Sequence, residues 1–179
     1  MSPGWEEQTI DIKNYQYKTP APSKEDLARL CSVIEGNLAE MKQGTAEVNK
    51  NKALLNKNAD KYRLFYFGCL FFDFYLHAED CLLQIAKLID KWIPASLDWH
   101  ARLLKLMKSP FPEKRPPILS PETASLLEDY LILYLNFHRQ GPNLSSEKIK
   151  KMAANIDHLY GLLENDLTAI TRLFAPGRQ

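Results

Sequence analysis

Apolar positions recur at helical spacing along most of this chain, and in one stretch they crowd the polar positions out. From Leu64 to Ile89 the sequence opens Leu64-Phe65-Tyr66-Phe67, passes Gly68 and Cys69, and continues through Leu70-Phe71-Phe72-Asp73-Phe74-Tyr75-Leu76. Only then do His77, Glu79 and Asp80 alternate with Leu82, Leu83, Ile85, Ala86, Leu88 and Ile89. A segment apolar on every side is buried on every side, so this one is expected to be the central helix of a bundle. A membrane span needs about 18 or more residues nearly free of charge, whereas Arg63, Asp73, Glu79 and Asp80 interrupt this stretch. Its aromatic first half also suits a strand; the Leu82, Ile85/Ala86, Ile89 spacing decides for a helix.

The flanking segments read as helices that cover it. Residues 1–22 are irregular: Ile10, Ile12, Tyr15 and Tyr17 suit a short extended arm that Pro20 and Pro22 end. Ser23 caps the first helix, with Glu25 and Asp26 in its first turn. The stripe Leu27, Ile34, Met41, Val48, Leu55 continues it, with Cys31 and Leu38 as a second seam that turns polar at Thr45 and Lys52. A more solvated second half, bent near Gly44, is expected, followed by a Lys/Asn-rich end and a turn at Asn56-Lys57-Asn58. The central helix stops before Pro94, and Ser96 is expected to cap a short helix from Leu97 to Lys108. A stiff proline-rich loop, Ser109 to Pro117, leads to Ser120-Pro121, a strong helix start. That helix carries Leu126/Leu127, Tyr130, Leu133/Tyr134 and Phe137 to about Arg139, and Gly141-Pro142 terminates it. Ser145 or Ser146 begins the last helix, whose buried face runs from Ile149 to Phe174. The pattern predicts an all-α bundle of four long helices and one short one, a single domain over 23–179 preceded by an arm over 1–22.

Composition narrows the function classes. The 179 residues are 45% hydrophobic and 25% charged, ordinary for a globular domain, and the formal net charge is only +1. A nucleic-acid surface would therefore be a local patch. The three cysteines, Cys31, Cys69 and Cys81, sit in helical patterns and read as free thiols of a reducing cytosol. The first residues are acidic and aromatic, so no secretion signal is expected there. With seven glycines in all, the chain holds no Gly-rich phosphate loop, and it has neither a Cys-x-x-Cys pair nor a zincin motif.

The histidines are the remaining candidates for chemistry. Asp73, His77 and Asp80 share a helical face, more simply a histidine held by its neighbours than a metal site, and no metal or cofactor is expected. His158, beside Asp157, reads as a surface residue. His100 follows Asp98-Trp99 in the first turn of its helix, where a cation is unfavourable, and reads as neutral and structural. His138 differs. It lies in the last turn of its helix on the face of Leu127, Leu131 and Tyr134, next to Arg139, with Lys148, Lys150 and Lys151 following. A helix C-terminus favours a protonated imidazole, which suits a general acid.

Three pieces, in order and at their spacing, carry a resemblance. They are Asp73-Phe74-Tyr75 leading to Ile89-Asp90, then Asp98-Trp99-His100-Ala101-Arg102-Leu103-Leu104, then Arg115-Pro116-Pro117-Ile118-Leu119-Ser120 with the Leu126-Leu127-Glu128-Asp129-Tyr130-Leu131 helix. A Gly-x-x-Leu turn, Gly141 to Leu144, follows. Over roughly residues 24 to 174 the chain resembles the HepT-like branch of the HEPN superfamily. The resemblance implies a HEPN-like helical bundle that usually dimerises. It implies a metal-independent endoribonuclease toxin, often paired with a nucleotidyltransferase antitoxin that attaches AMP to a tyrosine. The family motif is an Arg, four residues, a His, one residue and a Tyr. Proton transfer from a ribose 2′-hydroxyl suits the His, and developing phosphorane charge suits the planar Arg. Here His138 falls on the His position, Leu133 on the Arg position and Gln140 on the Tyr position. The expected catalytic residue is therefore His138, with Arg139 as a substitute cation, and AMP transfer to position 140 is not expected. The expectation is a cytoplasmic, dimeric binding or regulatory partner whose RNA cleavage is weakened or lost. An active endoribonuclease using His138 and a stand-alone interaction module are the alternatives.

Overall fold

The computed structural model describes residues 21–55, 60–93, 96–140 and 144–174, with the side chains of 138–140 outside that description. Among the described residues the chain forms five α-helices: α1 (Lys24–Asn51), α2 (Lys61–Ile85), α3 (Trp99–Met107), α4 (Pro121–Gln140) and α5 (Ser146–Phe174). The expected four long helices and one short one are there, in an all-α bundle. A 3₁₀ turn, Lys52–Leu55, extends α1, and a π turn, Ala86–Asp90, extends α2. The expected arm falls outside the described residues except for Ala21 and Pro22, as does the turn at 56–58.

The apolar density of α2 places it at the centre. Phe67, Phe71, Phe74, Tyr75, Ala78, Leu82 and Ile85 are buried, and α2 packs against each of the other four helices. Gly68 marks the closest approach: a Cβ there would stand 2.7 Å from Leu144 Cδ1 and 2.8 Å from the Phe137 ring. The missing side chain thus lets the end of α4 and the start of α5 close onto α2.

Local signals explain most helix ends. Ser23 caps α1 as expected, and Asp26 returns the bond through its side chain to make a reciprocal capping box. Asp60 Oδ1 accepts from the amides of Tyr62 and Arg63 at the start of α2. Ser120 Oγ accepts from the Thr123 amide, and Asp166 of α5 accepts from both the Ser120 amide and the Thr123 hydroxyl, tying the start of α4 to α5.

Two expectations are corrected. Ser96 does not cap the short helix, which starts at Trp99 with Asp98 as its N-cap, and Leu97 is fully exposed. Two residues before the capping position, Ser96 instead accepts the Trp99 amide through its carbonyl. Nor does α1 loosen where its seam turns polar. Thr45 is buried because its hydroxyl donates back to the Met41 carbonyl at 2.9 Å, and Val48 and Leu55 stay in the core. Helix α1 runs as one element through Gly44.

The proline-rich loop is held by a buried ion pair. Arg115 Nε and Nη2 donate to Asp90 Oδ1 and Oδ2 at 2.7 and 2.6 Å, and both side chains are fully buried. Its remaining donors go to the carbonyls of Leu106, Ser109 and Pro116. Glu113, at φ 63°, makes the left-handed residue of the tight turn that brings Phe111 and Arg115 together.

Candidate functional site

The site to which the motif points lies where the second half of α4 packs against α2. A stripe of α2, Phe65, Cys69, Phe72 and Leu76, is left exposed or half-buried at four- and three-residue spacing. The rings of α4 seat on it. Phe137 stacks on Phe65 at 5.6 Å and tilts against Phe72 at 5.8 Å, while Tyr134 stacks on Phe72 at 5.0 Å. These contacts fix the last turns of α4 and hence the backbone that carries residue 138.

Of the motif positions, Leu133 is fully described: it is 3% exposed, part of the core on the inner side of α4. His138, Arg139 and Gln140 end α4, and their side chains lie outside the described residues. Of the lysines that follow, Lys148 and Lys151 both reach Asp129 of α4, at 3.9 and 3.6 Å, and Lys150 is exposed.

One turn before residue 138, α2, α3 and α4 bring together a polar cluster that sequence reasoning does not assemble. Glu79 of α2 is buried, and its Oε1 accepts from the Tyr75 hydroxyl at 2.8 Å and from His100 Nδ1 at 2.6 Å. The His100 ring stacks on Trp99 at 3.7 Å and lies 5.0 Å from the Tyr134 ring, which in turn tilts against Tyr75 at 5.2 Å. Burial and then the Glu79 carboxylate push both the Tyr75 and Tyr134 phenols above the ordinary tyrosine value, so both keep their protons. His100 is thus structural, as expected, in that it ties α3 to α2, but it does so through a buried carboxylate. A signal for Glu79 exists in the sequence: it is a carboxylate on the otherwise apolar Phe71, Tyr75, Ala78, Leu82 face. Nothing local names its partner.

The other histidines are placed as bystanders. His77 Nδ1 meets Asn37 Oδ1 at 2.8 Å, and Asn37 bonds Asp80 in turn, so a carboxamide of α1 holds it rather than the carboxylates beside it. His158 pairs with exposed Glu122 at 2.8 Å on the surface. Among the described residues no group of three or more His, Cys, Asp or Glu side chains is arranged to hold a metal ion, and no helix is long and apolar enough to cross a membrane. Cys31, Cys69 and Cys81 are free thiols.

A protein-family model described as HepT-like protein matches residues 67–174, from the middle of α2 to the end of α5. No curated protein and no solved structure matches the chain significantly.

Proposed function

Because the chain belongs to the HepT-like family, we propose that it is a protein of HEPN ribonuclease lineage whose RNA cleavage is weakened and which acts mainly as a dimeric binding or regulatory partner. One observation carries this reading: the position that the family motif gives to a charge-stabilising Arg is occupied by Leu133, an apolar side chain built into the core. Loss of one preorganised charge stabiliser costs about 10²–10³ in rate. Proton transfer survives that loss, with His138 as the acid. Gln140 offers no phenol for AMP transfer, so a nucleotidyltransferase partner would engage the protein by binding alone. The exposed apolar side chains of Phe65 and Leu76 on α2 support a second copy packing on this side of the bundle.

The test is cleavage of single-stranded RNA by the purified protein in EDTA, beside His138→Ala, with the oligomeric state read by sedimentation. Slow cleavage by a dimer that disappears in His138→Ala is the expected outcome. Cleavage that is indifferent to His138 would remove the ribonuclease part of the reading, and a monomer at micromolar concentration would remove the dimer.

A further inference from the structure

The family motif does not account for the Glu79–His100 pair, the buried polar cluster beside the second half of α4. A carboxylate that already accepts the Tyr75 hydroxyl can only accept again from His100, so Nδ1 is the nitrogen that carries the proton. In the neutral ring the lone pair is then on Nε2, on the edge away from Glu79. Among the described residues nothing hydrogen-bonds Nε2, and 12% of the side chain remains exposed. His100 lies in the first turn of α3, where the helix dipole opposes a resting positive charge. Glu79 stabilises the charge when a proton arrives. The charged or titratable groups around the ring are Glu79 and Tyr75 of α2, Tyr134 of α4 and Asp98 at the cap of its own helix. Residue 138 is one turn, about 6 Å, beyond Tyr134 along α4.

We propose that His100, oriented by Glu79, is the proton acceptor of this site, taking the proton of an RNA 2′-hydroxyl on Nε2. The proposal rests on the ribonuclease reading above. The 2′-oxygen forms its bond to phosphorus as the P–O5′ bond breaks. The 2′-hydroxyl proton passes to Nε2, and the P–O5′ electron pair leaves with O5′. That oxygen takes its proton from His138 or from water, giving a 2′,3′-cyclic phosphate and a 5′-hydroxyl end. Tyr75 and Glu79 are positioning residues: they fix the tautomer and the ring, and they do not touch the substrate.

The decisive variants are His100→Asn, whose amide can still donate to Glu79 but carries no base, and Glu79→Gln, which keeps an acceptor for Nδ1 but no charge. Each is compared with the wild type and His138→Ala for its melting curve, for kcat/KM on RNA against pH, and for the product ends. The expected result is a folded His100→Asn that is about 10²–10⁴-fold slower and has lost the acidic limb of the pH profile, with a smaller loss and a displaced limb in Glu79→Gln. If His100→Asn does not fold, the limb in Glu79→Gln decides: displacement supports the proposal and an unmoved limb overturns it. A folded His100→Asn that cleaves within about threefold of wild type, with His138→Ala inactive, overturns the proposal and leaves the ribonuclease reading standing. An inactive wild type overturns both.

Discussion

Replacing Arg115 by Met isolates the buried ion pair that fixes the loop before α4. The wild-type side chain makes five hydrogen bonds, two of them to the Asp90 carboxylate at 2.7 and 2.6 Å and three to the carbonyls of Leu106, Ser109 and Pro116. Both partners are fully buried, so removing the guanidinium leaves a buried carboxylate without its ion-pair partner and three carbonyls without that donor. Breaking such a pair from one side costs about 3–5 kcal/mol. At about 2–4 °C per kcal/mol for a chain of this size, that is a fall in Tm of about 6–20 °C. Burial pushes the Asp90 carboxyl above its ordinary value, and Arg115 pulls it back. In the Met variant burial is opposed only by the weaker pull of the Lys114 charge, so the folded state takes up a proton at Asp90 more readily than the unfolded state. The deficit should therefore narrow as pH falls from about 7 to 5. Urea unfolding of Arg115→Met, of Asp90→Leu and of the double variant at both pH values measures this. The double variant should recover most of the loss, because it removes the orphaned charge. A single-variant loss below about 1 kcal/mol, or a double variant no better than the single, would refute the reasoning.

Two further perturbations test how the bundle is tied together. Asp166→Ala removes the acceptor of the Ser120 amide at 2.9 Å and of the buried Thr123 hydroxyl at 2.6 Å. It should cost about 1–3 kcal/mol in urea unfolding, with Asp166→Asn milder because its amide oxygen still accepts; equal losses would contradict a contribution from the acceptor oxygen itself. Burial pushes the phenols of Tyr66 and Tyr160 up to about 12 from the ordinary 10.0 and raises Tyr75, Tyr130 and Tyr134 as well. Since folding holds these groups neutral, their contribution is fully present below pH 10 and is lost as pH rises toward 12 and beyond. An ultraviolet titration should show tyrosine ionisation coinciding with unfolding in that window, and early ionisation of all eight tyrosines in a folded protein would contradict it.

Much of this architecture is legible from the chain alone, for identifiable reasons. Helix periodicity, the Ser23–Asp26 box and the Ser120-Pro121 start are local, and each determines its element without help from distant residues. Ser96 misleads because a serine three residues before Trp99 looks like a cap, although the turn is made by its carbonyl. Thr45 misleads because a polar residue is assumed to seek water when its own helix offers an acceptor. At the candidate site, the spacing that selects His138 and Leu133 can be read from sequence, and so can an acidic residue on the buried face of α2. The pairing of Glu79 with His100 cannot, because the two are 21 residues apart on different helices and meet only through tertiary packing.

The most direct test of the central claim is the single-turnover rate of RNA cleavage in EDTA by this protein against a HepT-like protein whose Arg and His motif is intact. The account predicts a rate lower by about 10²–10³. An equal rate would contradict it, since a buried leucine at position 133 would then have replaced the family's cation at no cost.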